Sequence, residues 1–371
     1  VVALWEALAR LGARVRDSRV VAFAARWRWP LLAVLVLLSV ANDRHAEPLD
    51  VTYFRHAGEH LLSGRWRTTF ADPGLQAGPL FVAVYGALSR LHFSVSLVVQ
   101  PLALFAVVLT VRRARRVLGL GEDARAELLA GLVLLALQVP SGAYLNGHPA
   151  QVLLPVLWVH AALDAREDRV VRAGLLLALG AAIETWALLG VPVLLALPSW
   201  RRRALATATA AVGAAATVAP FGGEYASQRL VWHVSAGAPV AHLLGTGAAF
   251  PWWLRLVQAA AAVGAGAAVW WRIREESAAV WAVPLAVVAV RLLLDPVEYD
   301  YYWIAAQTLA AVAAGVATRR AWPALLAAYV VVVEPLLGVV ATVVLCLVGL
   351  SGTRGRSATG RGPAGRTAAA P

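Results

Sequence analysis

The chain has 371 residues, of which 60% are hydrophobic and 15% charged, with a mean hydropathy of +0.68 and a formal net charge of +12. A soluble domain is about half apolar and about a quarter charged, so these values exclude an ordinary soluble enzyme, a disordered chain and a disulfide scaffold. Apolar runs recur along nearly the whole length, the pattern of an all-α, polytopic transmembrane helical bundle.

Cys346 is the single cysteine, so no intrachain disulfide forms, and its apolar run reads as lipid-facing or core packing. All 33 basic residues are Arg, and Met is absent. That composition reads as the codon bias of a GC-rich genome, and Val1 as a GUG start written literally or as a truncation. The positive charge does not predict a nucleic-acid partner. Its arginines cluster between apolar segments, which is how membrane proteins encode orientation.

Residues 1–28 carry six arginines between apolar residues at helical spacing, and read as an amphipathic segment on the cytoplasmic leaflet. A first span follows at 29–41, an anchor without a small-residue cleavage signature. Residues 42–77 form a polar outside loop, with a surface helix over 51–63. Apolar segments follow at 78–90 and 94–111, closed by Arg112, Arg113, Arg115 and Arg116. Further spans are predicted at 126–140, 149–163, 170–182, 185–198, 204–220, 249–271, 277–294, 302–318, 321–333 and 336–350, for about 11–13 membrane segments. The transmembrane domain thus runs over 29–350, and the tail 351–371 reads as disordered and cytoplasmic.

With the amino terminus inside, 25 arginines fall in inside segments and five in outside loops, which puts both termini in the cytoplasm of a multi-pass plasma-membrane protein. Residues 78–111 must then cross an odd number of times, so one of its two segments is predicted to be short and re-entrant. Two tight hairpins are predicted to break near Glu184 and at Glu334-Pro335.

This topology gathers the polar chemistry on the outside face. Six of eight histidines fall there, with Asp50, Asp72, Asn146, Gln151, Glu224, Asp295, Glu298 and Asp300. Asp50 reads either as a solvated loop carboxylate or as a general base at the membrane surface. The stretch Asn146-Gly147-His148-Pro149-Ala150-Gln151 is either simple turn chemistry or a sugar or phosphate site. Its spacing fits no metal motif, and neither a metal nor a cofactor is expected. Arg291 and Asp295 are four apart and could pair on one helix face. Alternatively, Arg291 could grip a lipid phosphate with its planar fork. Tyr299, Tyr301 and Tyr302 form an interfacial belt or a stacking surface for a sugar. Glu184 is a structural ion-pair partner, with Arg291 as candidate, or a functional intramembrane charge.

Asp50 and Tyr53, then Leu61-Leu62-Ser63-Gly64 and Phe70-Ala71-Asp72-Pro73, resemble glycosyltransferase family 87, a type C membrane glycosyltransferase family. Gly147 to Gln151, Ala173 to Ala182, and Asp295-Pro296 through Tyr302 extend the resemblance over roughly residues 29–320. The chain is similar to an actinobacterial offshoot of that family. It has Glu184 where the family commonly carries Lys, Tyr299-Asp300-Tyr301 in place of Trp-Asp-His, and Gln76 to Leu80 in place of Tyr-Pro-Pro.

The resemblance implies a mannosyltransferase-like enzyme of the outer face. The implied donor is a polyprenyl-phosphate hexose, with mannose foremost, and the acceptor a glycolipid or cell-wall glycan. Inversion would occur in one displacement. Asp50 would be the base. Arg291, His148, Asn146, Gln151, His233, Glu184, Asp295, Asp300, Tyr301 and Tyr53 would bind substrate or donor phosphate. Two alternatives stay open: a transporter or flippase for a lipid-linked sugar, and a non-catalytic partner in envelope assembly.

Overall fold

The computed structural model describes residues 18–316, apart from 44, 47, 73, 225–231 and 298. The segments expected at 321–333 and 336–350, residues 1–17, Glu298, Glu334, Cys346 and the tail lie outside the described residues.

Helix dominates. Ser18 caps α1 (Arg19–Arg26) by accepting a bond from the Val21 amide at 3.2 Å. α1 meets α2 (Arg28–Asp43) at 80°, so a short basic helix turns sharply into an apolar one. The helix expected at 51–63 forms as α3 (Leu49–Leu62), followed by the single turn α4 (Trp66–Phe70). Next come α5 (Pro79–Arg90) and α6 (Val95–Val117). At 1.5 Å per residue, α6 is about 34 Å long and α5 about 18 Å. α6 can therefore cross a hydrocarbon core and α5 cannot, as the expected short segment requires.

α7 (Ala124–Ala136) bends by 44° into α8 (Val139–Leu145), with Gln138 in the left-handed region between them. α9 (Ala150–Arg166) and α10 (Val170–Ile183) form a tight pair. A 3-10 segment, Thr185–Ala196, then leads to α11 (Trp200–Val218). A two-residue ribbon follows, β1 (Trp232–His233) with β2 (Ala249–Phe250), enclosing the single turn α12 (Ala241–Leu244). The chain continues through α13 (Trp252–Ile273), α14 (Ala279–Leu293), the 3-10 turn Asp300–Tyr302 and α15 (Trp303–Val316).

Among the described residues, three helical segments are long and apolar enough to cross a membrane each: Val95–Val117, Trp200–Phe221 and Trp252–Ile273. The two bent pairs bring the number to five. The 11–13 segments expected from hydropathy include two, at 321–333 and 336–350, that lie outside the described residues. The expected apolar stretches within the described residues do form helices, but several are too short to span alone. Val170–Ile183, Thr185–Ala196, Ala279–Leu293 and Trp303–Val316 are apolar pieces of this kind. Glycine, proline and Glu184 interrupt the runs. Pro192 and Pro284 each remove a backbone donor within such a segment.

α6 is the central element, packed by α2, α7, α8, α9 and α15. Its buried Gln100 donates to Asp43 at 2.9 Å and accepts from Ser39 at 2.7 Å. Ser141 also donates to Asp43, at 2.6 Å. Asp43, read from sequence as a loop acid, is therefore a buried knot tying α2, α6 and α8. A carboxylate with this many donors is stable in the interior, whereas an unpaired one is not. Near the other end of the bundle, Arg28 donates to the buried Glu127 at 2.5 Å and fixes α2 to α7.

Candidate active site: two adjoining cavities

α3 brings Asp50 to the bundle by packing on α5. Phe54 meets Phe81 edge to face at 5.0 Å between centroids, Tyr85 at 5.7 Å and His148 at 5.5 Å. The turn between α8 and α9 passes directly beneath Asp50. Gly147 sits there at φ +68°, and a Cβ at that position would lie 2.8 Å from the Asp50 Cβ. Tyr85 donates to the Gly147 carbonyl at 3.2 Å and pins the turn.

His148 Nε2 is 3.0 Å from Asp50 Oδ2. An ionised carboxylate only accepts, so the proton lies on Nε2. This bond holds the Asp50 carboxyl below the ordinary value of 3.8, against the upward push of desolvation. Tyr301 stacks on His148 at 4.0 Å and 6°, and Tyr299 stacks on Tyr301 at 5.3 Å and 7°. Three planar rings thus form a row beside Asp50. Burial pushes the Tyr301 hydroxyl up, so it stays neutral. Tyr53 donates to Asp72 at 2.7 Å, and burial together with this bond raises its hydroxyl as well.

These groups line a cavity of about 470 Å³, with Asp50, Tyr53, Asn146, His148, Glu184 and Tyr301 in its wall. A second cavity, of about 280 Å³, adjoins it and is lined by Trp186, Arg255, Gln258, Arg291 and Asp295. Gln76, Glu184, Trp232 and Tyr302 line both. Glu184 owes this position to the break between α10 and the 3-10 segment. Its backbone is extended and bridges Ala77, and the Gly78 amide donates to Ile183 at 2.7 Å.

The second cavity is a cationic cage. Asp295 lies 3.3 Å from Arg255 and 3.8 Å from Arg291. The i,i+4 pairing read from sequence is present, but it is only one side of a three-residue cluster. Gln258 orders it by accepting from Arg255 at 3.0 Å and donating to the Arg291 carbonyl at 2.9 Å. Arg291 lies 4.2 Å above the Trp186 ring and 5.0 Å from that of Tyr302. Its buried Nη1 has no hydrogen-bond partner among the described residues, nor does Glu184 Oε2. Two guanidinium groups thus share one close carboxylate, Glu184 is the second acid of the wall, and one guanidinium donor is left without a partner among the described residues.

Two expected site residues stand apart. Gln151 is fully buried in the first turn of α9 and lines neither cavity. His233 is exposed on β1, 3.3 Å from the Gly247 carbonyl, because strand alternation turns its neighbour Trp232 inward instead. Asp300 opens the 3-10 turn that carries Tyr301 and Tyr302. The expected Glu184–Arg291 ion pair is absent among the described contacts, the Arg291 fork being aimed at Asp295 and Trp186.

Sequence reasoning missed Arg255, Gln258, Trp186 and Trp232 as site residues. For the first two a signal existed: an Arg and a Gln three apart on one face of an otherwise apolar span. Trp232 carries no local signal, since only the β1–β2 ribbon brings it to the shared wall. Among the described residues, no three of His, Cys, Asp and Glu are grouped to hold a metal ion.

Comparisons with protein-family models, curated proteins and solved structures find no match to this chain.

Proposed function

We propose that the chain is a membrane glycosyltransferase of the type C kind, working on the outer face of the plasma membrane. It would transfer a hexose, with mannose foremost, from a polyprenyl phosphate to a hydroxyl of a glycolipid or cell-wall glycan. One observation carries this reading. An anionic carboxylate held by a histidine and a cationic cage line two cavities that share a wall. Glycosyl transfer from a lipid phosphate needs a proton acceptor and an anion holder on opposite sides of one sugar, and this arrangement supplies both.

The acceptor hydroxyl lies in the first cavity against Asp50. Its oxygen attacks the anomeric carbon while its proton passes to the Asp50 carboxylate. The bond from that carbon to the phosphate oxygen breaks, and its electron pair stays on the phosphate. Attack and departure on opposite faces invert the anomeric configuration. Arg291 and Arg255 stabilise the departing charge with charge-assisted hydrogen bonds in a site of low polarity. His148 orients Asp50, and the row of His148, Tyr301 and Tyr299 offers flat faces to the sugar's C–H groups. The concentration of arginines at the other end of the helices supports the outward placement of both cavities.

The test uses purified full-length chain in proteoliposomes, supplied with radiolabelled polyprenyl-phosphate hexoses and a glycolipid acceptor. Transfer of label supports the reading. Movement of intact lipid-linked sugar across the bilayer without transfer would replace it with a transporter.

A further inference from the structure

We infer that the arginine-rich end of the bundle holds a second anion site, for the phosphate of an anionic phospholipid, independent of the reading above. α9 connects the two ends. His148 and Ala150 at its start border the first cavity, whereas Arg166 at its end borders another cavity of about 690 Å³. Sixteen residues of rise put the two about 24 Å apart along the helix.

Three arginines line this cavity: Arg166, Arg203 and Arg274. Arg166 Nη2 donates to the backbone carbonyls of Glu276 at 2.5 Å and Arg274 at 3.3 Å. Arg203 Nε donates to the Leu197 carbonyl at 2.9 Å. Carbonyls satisfy a donor without cancelling its charge. The two carboxylates in the wall do little to cancel it. Glu167 is engaged by Arg113 at 3.3 Å and Arg169 at 3.2 Å. Glu275 is almost wholly exposed and reaches only Arg274, at 4.0 Å. The cavity therefore carries net positive charge.

Apart from Ser277, its remaining wall is apolar, with Val117, Leu118, Leu195 and Leu197 beside Trp270. A free anion has no use for that wall. A phosphodiester bearing acyl chains does, and an indole at the rim belongs at headgroup depth. Basic pockets between helices on this side of a membrane suit anionic headgroups.

Retention of phosphatidylglycerol and of phosphatidylcholine on the purified full-length chain, measured by native mass spectrometry, tests the site. Arg166→Gln also unties α9 from the 274–276 turn, so Arg203→Gln is the diagnostic variant. Arg201→Gln, in the same arginine run but outside the cavity, is the control. The expected result is selective retention of phosphatidylglycerol, weakened about fivefold by Arg203→Gln, as one headgroup-facing arginine warrants. Arg203→Lys should recover most of it, and Arg201→Gln should change nothing. Equal retention of the two lipids, or equal loss in Arg201→Gln, would overturn the site. Displacement of the lipid by millimolar inorganic phosphate would assign it to a free anion instead.

Discussion

Gly147→Ala tests whether the turn beneath Asp50 sets the site's geometry. Gly147 has φ +68°, where a side chain costs about 1–2 kcal/mol. Its added Cβ would also stand 2.8 Å from the Asp50 Cβ and 3.0 Å from the Val51 amide nitrogen. Ordinary carbon contacts begin near ~3.5 Å, so the start of α3 must retreat by about 0.7 Å. That retreat lengthens the 3.0 Å bond between Asp50 and His148, the next residue along from the glycine. A misplacement near 1 Å at a reacting group costs roughly a hundredfold in rate. Gly64→Ala is the matched control: φ is +82°, and nothing lies within 4 Å of its added Cβ. Both variants should melt at lower temperature than the wild type, but only Gly147→Ala should lose hexose transfer, by about a hundredfold. Equal transfer rates in the two variants would refute the positioning role of the turn.

Asp50→Asn should lower transfer by about 10²–10⁴ while lowering the melting temperature only slightly, because the side chain is half exposed. Arg255→Gln leaves Asp295 with Arg291, at 3.8 Å, as its one cationic partner among the described residues, and titration of the donor should show KM raised roughly tenfold to a hundredfold with a smaller change in kcat. Asp43→Ala takes one acceptor from Gln100 and from Ser141 and should cost about 1–3 kcal/mol in detergent unfolding, with the rate of the folded protein preserved. The Asp50 carboxyl is held low, so the stability it gains from His148 is present above the unfolded value and disappears as pH falls through the folded one. The acid limb of transfer should therefore lie below pH 3.8 in the wild type and move upward in His148→Ala, as a pH–rate profile would show.

Much of the helical order is legible in the chain because arginine runs, prolines and Gly-bearing turns punctuate its apolar stretches. The surface helix expected at 51–63 forms as Leu49–Leu62, and the break expected near Glu184 falls on that residue. The site was partly legible. Asp50, His148 and Arg291 stood out as polar groups at the edges of apolar segments. Their pairing did not, because Asp50 and His148 are 98 residues apart and no local periodicity encodes that contact. The cationic cage was half seen, since Asp295 follows Arg291 by one helical turn while Arg255 arrives from the preceding helix. Asp43 misled because a carboxylate at the end of a span looks solvated until Gln100 and Ser141 are placed against it. The number of complete spans was not legible, because hydropathy marks apolar stretches without reporting where a helix stops inside them.

The most direct measurement is a single-turnover transfer assay with a polyprenyl-phosphate hexose of defined anomeric configuration, comparing the wild type with Asp50→Asn. The account predicts a product of inverted configuration from the wild type and, from the variant, none on the same timescale. A product of retained configuration, or equal rates from the two proteins, would contradict it.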